Sequence, residues 1–493
     1  MERKEKLSFE DALSRAGFGL YSYLMTVLAG LVVISQVCVA YGTTIIIPAS
    51  TCELETTGAQ RGALAAVPVV GLILGGVFWG YLADKYGRKP MLITSLLTAA
   101  TVNALASISV NWVMLMILQF LATLLSSGQY PLSLALVSES VPLMKRNVVV
   151  LLVTSIFLLA QGVMAVLAIP IIPLTFSYYL SSLNIYWNSW RTLLLMYSAP
   201  SLVTATIMFF VNESPKFLFA KGRENEAKDV LYKIHKMNHI GSSPLLEIGG
   251  IVQEKEKEAE VPKAEMSQIF KSPLLKNLII ISLLYICQQL GAFMVWLPTI
   301  ANQFVEIVQT GEGLNLTLCG IIRESFDAPP NPDIAPCALN TTAMLIVLAV
   351  GALQSVINGL LSLIVNRVGR RNLSIMITAC CGALGIIVNL IPNAYGSVIV
   401  FVLSLTGMIV IGLYAAITVA SFPTHLRALA ITIAMTGSRL GTFVSVQILN
   451  FLLETNCEAG FYLFSSIYAA SAIIAAFLAD DRASQVNKVS SQL

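Results

Sequence analysis

G-Y-L-A-D-K-Y-G-R-K-P, residues 80–90, is the stretch on which the fold of this chain turns. It lies between two long apolar runs and packs an acid, three bases and two glycines into the space where one membrane crossing becomes the next. A second version, N-R-V-G-R-R at residues 366–371, again separates two apolar runs, and Gly369 follows Gly87 by 282 residues. Arg427 follows Arg146, the base of the next junction, by 281. The same basic punctuation at one offset predicts a duplicated membrane protein.

Composition agrees. The 493 residues are 56% hydrophobic and 12% charged, about half the charged share of a soluble domain. Runs of about 20 apolar residues are what a bilayer core requires of a helix, because its backbone groups must be satisfied within the segment. Twelve such runs are expected, at 20–43, 60–82, 91–109, 112–137, 148–172, 193–211, 275–300, 342–366, 373–392, 396–420, 428–453 and 460–479. The expected fold is an all-α membrane protein, twelve transmembrane helices forming two six-helix bundles at 20–211 and 275–479. Of the 30 Lys and Arg, all but Arg61, Arg191, Arg323 and Arg439 fall on the side that holds residues 1–19, the loops after even-numbered spans and residues 480–493. By the positive-inside bias, both termini and the central loop 212–274 are cytoplasmic. Each basic cluster is a short turn beside a span, so a nucleic-acid partner is not expected; the partners are the lipid bilayer and a small-molecule substrate, and the chain is expected to be a monomer. No small-residue cleavage site follows the N-terminus, and the first span is expected to act as an uncleaved signal.

The outer loop 301–341 carries sequons at Asn315 and Asn340, both candidate glycosylation sites. It also holds Cys319 and Cys337, a candidate disulfide. Trp187, Trp190 and Arg191 suit an interfacial anchor. In the central loop, Ala227, Val230, Leu231, Ile234 and Met237 recur at helical spacing and predict a short amphipathic helix, with a solvated mixed-charge linker beyond it.

Mid-membrane chemistry is sparse. None of the 27 Asp and Glu falls in the central third of a span, and neither do His235, His239 or His425. Proton-coupled carriers need a titratable group at that depth, so facilitated diffusion or exchange is expected. What remains is Arg439 with amides and aromatics: Gln36, Gln161, Gln288, Gln289, Gln354 and Tyr414 are candidate substrate contacts. An arginine at the centre of a span costs about 2.5 to 3.5 kcal/mol on insertion scales and must face something polar. That partner is either a structural acceptor or an anionic substrate. For each glutamine the alternative is an interhelical hydrogen bond.

The residues resemble the major facilitator superfamily, in its synaptic vesicle glycoprotein 2-like and organic-ion and sugar porter-like branch. The carriers are residues 80–90 with their echo, the run from Glu139 to Arg146, Trp190-Arg191, the run from Glu213 to Leu218, and Pro423-Thr424 through Arg427. The resemblance implies two bundles rocking about a central cavity. It implies a gating charge network of Asp84, Arg88, Glu139 and Arg146, with Arg367, Arg370 and Arg427 in the second half. It also makes Arg439 similar to an arginine of organic-ion carriers that is associated with anionic groups. Where the vesicle glycoproteins carry acids in span 1 and a base in span 4, this chain has Gln36, Val39 and Gln119.

Two functions are therefore open. The first is a carrier for a small organic solute, an organic anion before a neutral sugar or polyol. The other is a non-transporting vesicle or surface glycoprotein of the same fold that acts in trafficking. No catalytic residue, metal site or cofactor is expected, because the sequence has no His/Cys metal spacing, phosphate loop or nucleophile elbow.

Overall fold

A computed structural model describes residues 6–181, 183–239, 250–252, 267–272, 274–288, 290–310, 314–327, 340–422 and 424–478. Gln289, Cys337, the proline-rich stretch 329–336, the mixed-charge linker and the segment 480–493 lie outside these residues. The first half comprises α1 (Phe9–Ala16), α2 (Leu20–Tyr41), α3 (Thr43–Leu54), α4 (Gly58–Tyr86), α5 (Arg88–Leu105), α6 (Trp112–Ser126), α7 (Gln129–Ser138), α8 (Leu143–Ala168) and α9 (Ser189–Phe209). In the central loop lie α10 (Pro215–Ala220) and α11 (Glu224–Asn238). The second half comprises α12 (Leu274–Cys287), α13 (Leu290–Thr310), α14 (Leu318–Asp327), α15 (Thr341–Val368), α16 (Arg370–Ile387), α17 (Ala394–Leu405), α18 (Val410–Ser421), α19 (Thr424–Thr455) and α20 (Cys457–Ala476). Two small ribbons interrupt the helical pattern: β1 (Lys6–Ser8) pairs in parallel with β4 (Gly250–Val252), and β2 (Tyr178–Leu180) pairs with antiparallel β3 (Ile185–Trp187).

Among the described residues, eleven helical stretches are long and apolar enough to cross a bilayer. They match the expected runs other than 428–453; that run lies on α19, a long helix outside this group that carries Arg439, Gln447, Asn450 and Glu454. The first and seventh stretches run further than expected, to Leu54 and Gln309. Pro48 and Pro298 lie inside them without ending the helix, since neighbouring groups can re-satisfy a backbone that proline interrupts in a membrane.

The duplication is visible in the backbone. Gly87 sits at φ 111°, ψ 158° and Gly369 at φ 88°, ψ 144°, each closing one helix and opening the next. α5 passes into a 3-10 turn at Ala106–Ile108 and α16 into one at Val388–Leu390; Asn111 caps α6 and Asn393 caps α17. Each pair keeps the 282-residue offset. One buried apolar cluster draws on both halves, with Ala66, Val149, Phe293 and Phe461 among its members. The halves meet where α4 packs on α19 and α8 on α15. At the second contact a Cβ on Gly351 would stand 3.0 Å from the backbone nitrogen of Gly162, so the two glycines let the backbones touch.

Three expectations are corrected. Cys319 is bonded to Cys457, the first residue of α20, with a Cα to Cα distance of 5.6 Å, and not to Cys337. Its amide is held by Asn389 Oδ1 at 3.1 Å, which sets the start of α14 beside α20; spacing along the loop carries no trace of that packing. Cys52 is itself disulfide-bonded. Trp190 and Arg191 are buried at 1% exposure rather than interfacial. Arg191 pairs with Glu53 at 2.5 Å and donates to the carbonyls of Ser107 and Ser109 at 2.7 and 2.9 Å, while Trp190 Nε1 donates to Glu53 at 2.7 Å. Together they clasp α3, the end of α5 and α9. The amphipathic helix forms as α11, with Ala227, Val230, Leu231 and Ile234 buried, but Met237 is exposed and His235 is buried in its place. What covers this face is α1, whose Ala12, Leu13 and Ala16 are fully buried. Asn238 of α11 donates to Gly17 O at 2.8 Å and accepts from the Tyr21 amide at 3.0 Å.

Candidate gate and solute site

The charged stretch 80–90 earns its shape from a residue 123 positions beyond its end. α5 begins at Arg88 with no capping side chain of its own, and its free N–H groups favour a negative charge. Glu213 supplies it, accepting from the amides of Arg88 at 3.2 Å, Lys89 at 3.1 Å and Ser214 at 2.8 Å. Burial raises the pKa of this carboxyl, against the opposing pull of those amides and of Arg88. The approach explains Gly87: a Cβ there would fall 2.3 Å from Glu213 Oε2, at a φ that side chains rarely adopt.

Arg88 is the hub. Its guanidinium donates to Ala83 O at 3.1 Å, pairs with Asp84 at 3.1 Å and Glu139 at 3.2 Å, and lies 5.1 Å from the centre of the Phe217 ring. Ser214 Oγ donates to the other oxygen of Glu139 and accepts from the Phe217 amide at 3.1 Å, capping α10. Asp84 is 76% exposed whereas Arg88 and Glu139 are 17% and 16% exposed, so Glu139 is the inner partner and Asp84 the outer one. Arg146, grouped with these residues from the sequence, stands apart: it donates to Ser138 O at 2.8 Å and pairs with Glu10 of α1 at 3.3 Å. In the second half, Arg370 donates to Ala416 O at 3.2 Å, Arg367 is exposed and Arg427 lies on α19.

Asp84, Arg88, Glu139 and Arg146 are thus bonded within the first half, and the bonds between halves come from other residues. Along α4 and α19, Arg61 pairs with Glu454 at 3.0 Å, Asn450 donates to Gly58 O at 2.9 Å, Gln447 to Gly62 O at 3.1 Å and Arg439 to Leu72 O at 2.7 Å. Among the described residues this series ends at Leu72. Further along α4, Arg439 Nη1 lies 3.3 Å from a Cβ on Gly76, nothing among the described residues approaches a Cβ on Gly80 within 4 Å, and Tyr81 is 67% exposed. On the other side of the molecule, Asn358 donates to Ser155 Oγ at 2.9 Å and Gln161 to Met294 O at 3.0 Å. Among the described residues, the bonds between α4 and α19 thus lie on the Arg61 side of Leu72.

Between the ends, helices break at mid-depth. The span of α6 and α7 is interrupted at Ser127 and Gly128, that of α17 and α18 by a 3-10 turn at Thr406–Ile409, and α12 stops at Cys287 with α13 starting at Leu290. Carbonyls at the 3-10 turn accept from side chains of other helices: Leu405 O from Gln354 at 2.8 Å, Gly407 O from Tyr468 at 2.7 Å and Met408 O from Gln288 at 3.1 Å. Gln354 and Gln161 therefore act as interhelical glue. Gln288 has its Nε2 engaged while Oε1 is buried with no partner; Gln36 is buried, and Tyr414 is buried edge-on against Tyr285, ring centres 5.7 Å apart. Two further residues belong here that sequence reasoning missed. Gln129 is fully buried, and among the described residues neither of its amide atoms nor Trp296 Nε1 has a hydrogen-bond partner. The turn-forming run S-S-G-Q-Y-P, 126–131, inside an apolar span was the available signal for Gln129.

Comparison with known proteins fits this architecture. The family model described as Major Facilitator Superfamily matches residues 32–445. Synaptic vesicle glycoprotein 2B of Mus musculus is 26% identical over 241 residues, 48% of this chain and 35% of its own length, so the match spans about a third of that relative. The putative transporter SVOPL of Mus musculus is 23% identical over 495 residues, covering 96% of this chain and 92% of its own. Among solved structures, the partially occluded inward-open xylose transporter XylE of E. coli superposes with a TM-score of 0.67 at 15% identity, over 94% of this chain and 99% of that one.

Proposed function

Since the chain belongs to the Major Facilitator Superfamily, we propose that it is a twelve-span secondary carrier with cytoplasmic termini that moves a small neutral polyol or sugar by alternating access, without proton coupling. The observation that carries this reading is Gln288. Its amide ties the break before α13 to the 3-10 turn before α18, and its oxygen is left buried and open. A buried acceptor without a partner costs about 1 to 3 kcal/mol, a cost that a hydroxylic solute removes on binding. Gln129 adds a donor and an acceptor in the same condition from the first half. Arg439 gives one of its five N–H groups to Leu72 O and keeps its charge, so the organic anion stays as the second solute class.

The bonds that join α4 to α19 on the Arg61 side of Leu72 favour a state closed at that end and open toward the cytoplasm. On rocking, the α4 and α19 bonds part, and the Arg88 hub is brought toward the second half. Uptake by proteoliposomes tests the whole: saturable flux of at least one polyol or sugar is expected, reduced at least tenfold by Gln288→Ala and by Gln129→Ala, with no alkalinisation of the medium. Saturable flux of anions alone, or solute-driven alkalinisation, overturns the reading. No flux and no binding across sugars, polyols and ions gives the chain to the trafficking glycoprotein.

A further inference from the structure

A groove on the second half lies outside the path between the halves. It has a volume of about 400 Å³ and is walled by Phe304, Val305 and Val308 of α13, Ile346 of α15 and Val398 and Ile399 of α17. A constriction of about 10 Å³ continues it inward to Leu297 and Phe401. From Gln309 to Leu297 the groove follows α13 for about 18 Å at 1.5 Å per residue. Its side is open: Ile399 is 60% and Tyr395 56% exposed, on helices apolar enough to cross a bilayer. The medium that meets this opening is therefore hydrocarbon.

The lining is graded along its length. Its three polar residues, Gln309, Thr342 and Tyr395, come from the ends of α13, α15 and α17 that face the side of the Cys319–Cys457 disulfide, and everything deeper is apolar. Among the described residues no charged side chain lines it. Gln309 Oε1 already accepts from Asn340 at 2.9 Å, which leaves the Gln309 amide N–H groups, the Thr342 hydroxyl and the Tyr395 phenol at the rim. A phosphodiester headgroup finds no cation there. A single uncharged hydroxyl finds donors and acceptors, and a rigid apolar body gives up less conformational entropy on entering than a flexible acyl chain. We propose that this groove is a sterol site, with the hydroxyl at Tyr395 and Thr342 and the ring system between α13, α15 and α17. Because α13 is the arm beyond the mid-membrane break, a sterol seated there braces that arm against α15 and α17. The proposal stands apart from the identity of the transported solute.

The test is photolabelling of the full chain in proteoliposomes by a diazirine-bearing cholesterol analogue. Labelled peptides are expected from 297–309 and 395–402, with labelling competed by cholesterol and at least fivefold less by its 3α-hydroxyl epimer or by added phosphatidylcholine. Ile346→Trp, which fills the groove, is expected to cut labelling at least fivefold. Tyr395→Phe, which removes one exposed hydroxyl and leaves the packing intact, is expected to cut it several-fold and to abolish the preference between epimers. Competition by phosphatidylcholine equal to that by cholesterol, or labelling that neither substitution changes, overturns the assignment and leaves a general acyl groove.

Discussion

At Gly87 the backbone sits at φ 111° and a Cβ would meet the Glu213 carboxylate. Gly87→Ala is therefore expected to destabilise the protein by about 1 to 3 kcal/mol, the range for a side chain forced into a left-handed position. Gly80→Ala, with nothing within 4 Å, is expected to be neutral or stabilising by up to about 1 kcal/mol in a helix interior. Thermal unfolding in detergent checks both, and equal shifts would refute the account of the turn. The hub makes a second comparison. Glu139→Gln removes the half-buried charge and leaves one acceptor oxygen where Arg88 and Ser214 now use two, and about 1 to 3 kcal/mol is expected to be lost. Asp84→Asn, on a carboxylate that is 76% exposed, is expected to cost less than about 1 kcal/mol, as solvated pairs do. A larger loss for Asp84→Asn would invert the assignment of inner and outer partners. The sequence names both acids because charge in a turn is conspicuous. It does not rank them, since burial is set by α7 and α10 packing on the turn.

At the scale of elements, the start of α15 decides between two sequons that look alike as sequence. Asn340 is the N-cap of α15, its Oδ1 accepting from the Thr342 amide at 2.9 Å and its Nδ2 donating to Gln309 at 2.9 Å. Asn315 is exposed in the turn before α14. Glycan is therefore expected on Asn315 alone: Asn315→Gln should abolish the gel-mobility shift produced by glycosidase, and Asn340→Gln should leave it while lowering stability by about 0.5 to 2 kcal/mol through the lost cap. A glycan that survives Asn315→Gln would count against this. Helix positions are the most legible feature, because a bilayer demands length and apolarity that composition reports directly. The mid-depth breaks are less legible. Gly128 and the 3-10 turn at Thr406–Ile409 disturb no hydropathy average, and their carbonyls are taken by side chains from other spans.

For the whole molecule, the seam of α4 and α19 is the part that rocking must undo. Arg61→Ala with Glu454→Gln removes its outermost pair, and Arg439→Ala its innermost. Each is expected to raise the reactivity of a cysteine placed at Ala63 toward a membrane-impermeant maleimide several-fold, by shifting the population toward the state open at that end. Unchanged reactivity in both would mean that these bonds do not hold the end closed. By itself the sequence determined the membrane class, the two halves and their 282-residue offset, the turn around Gly87 and the set of residues worth asking about, because each is written in local composition or in exact repetition. Only the tertiary structure decided which partner each of those residues takes: Glu139 and not Arg146 at the hub, Leu72 O for Arg439, Cys457 for Cys319. Pairings of this kind join points tens to hundreds of residues apart. They are chosen by which helix faces pack together, a property of the assembled bundle that no single stretch of chain contains.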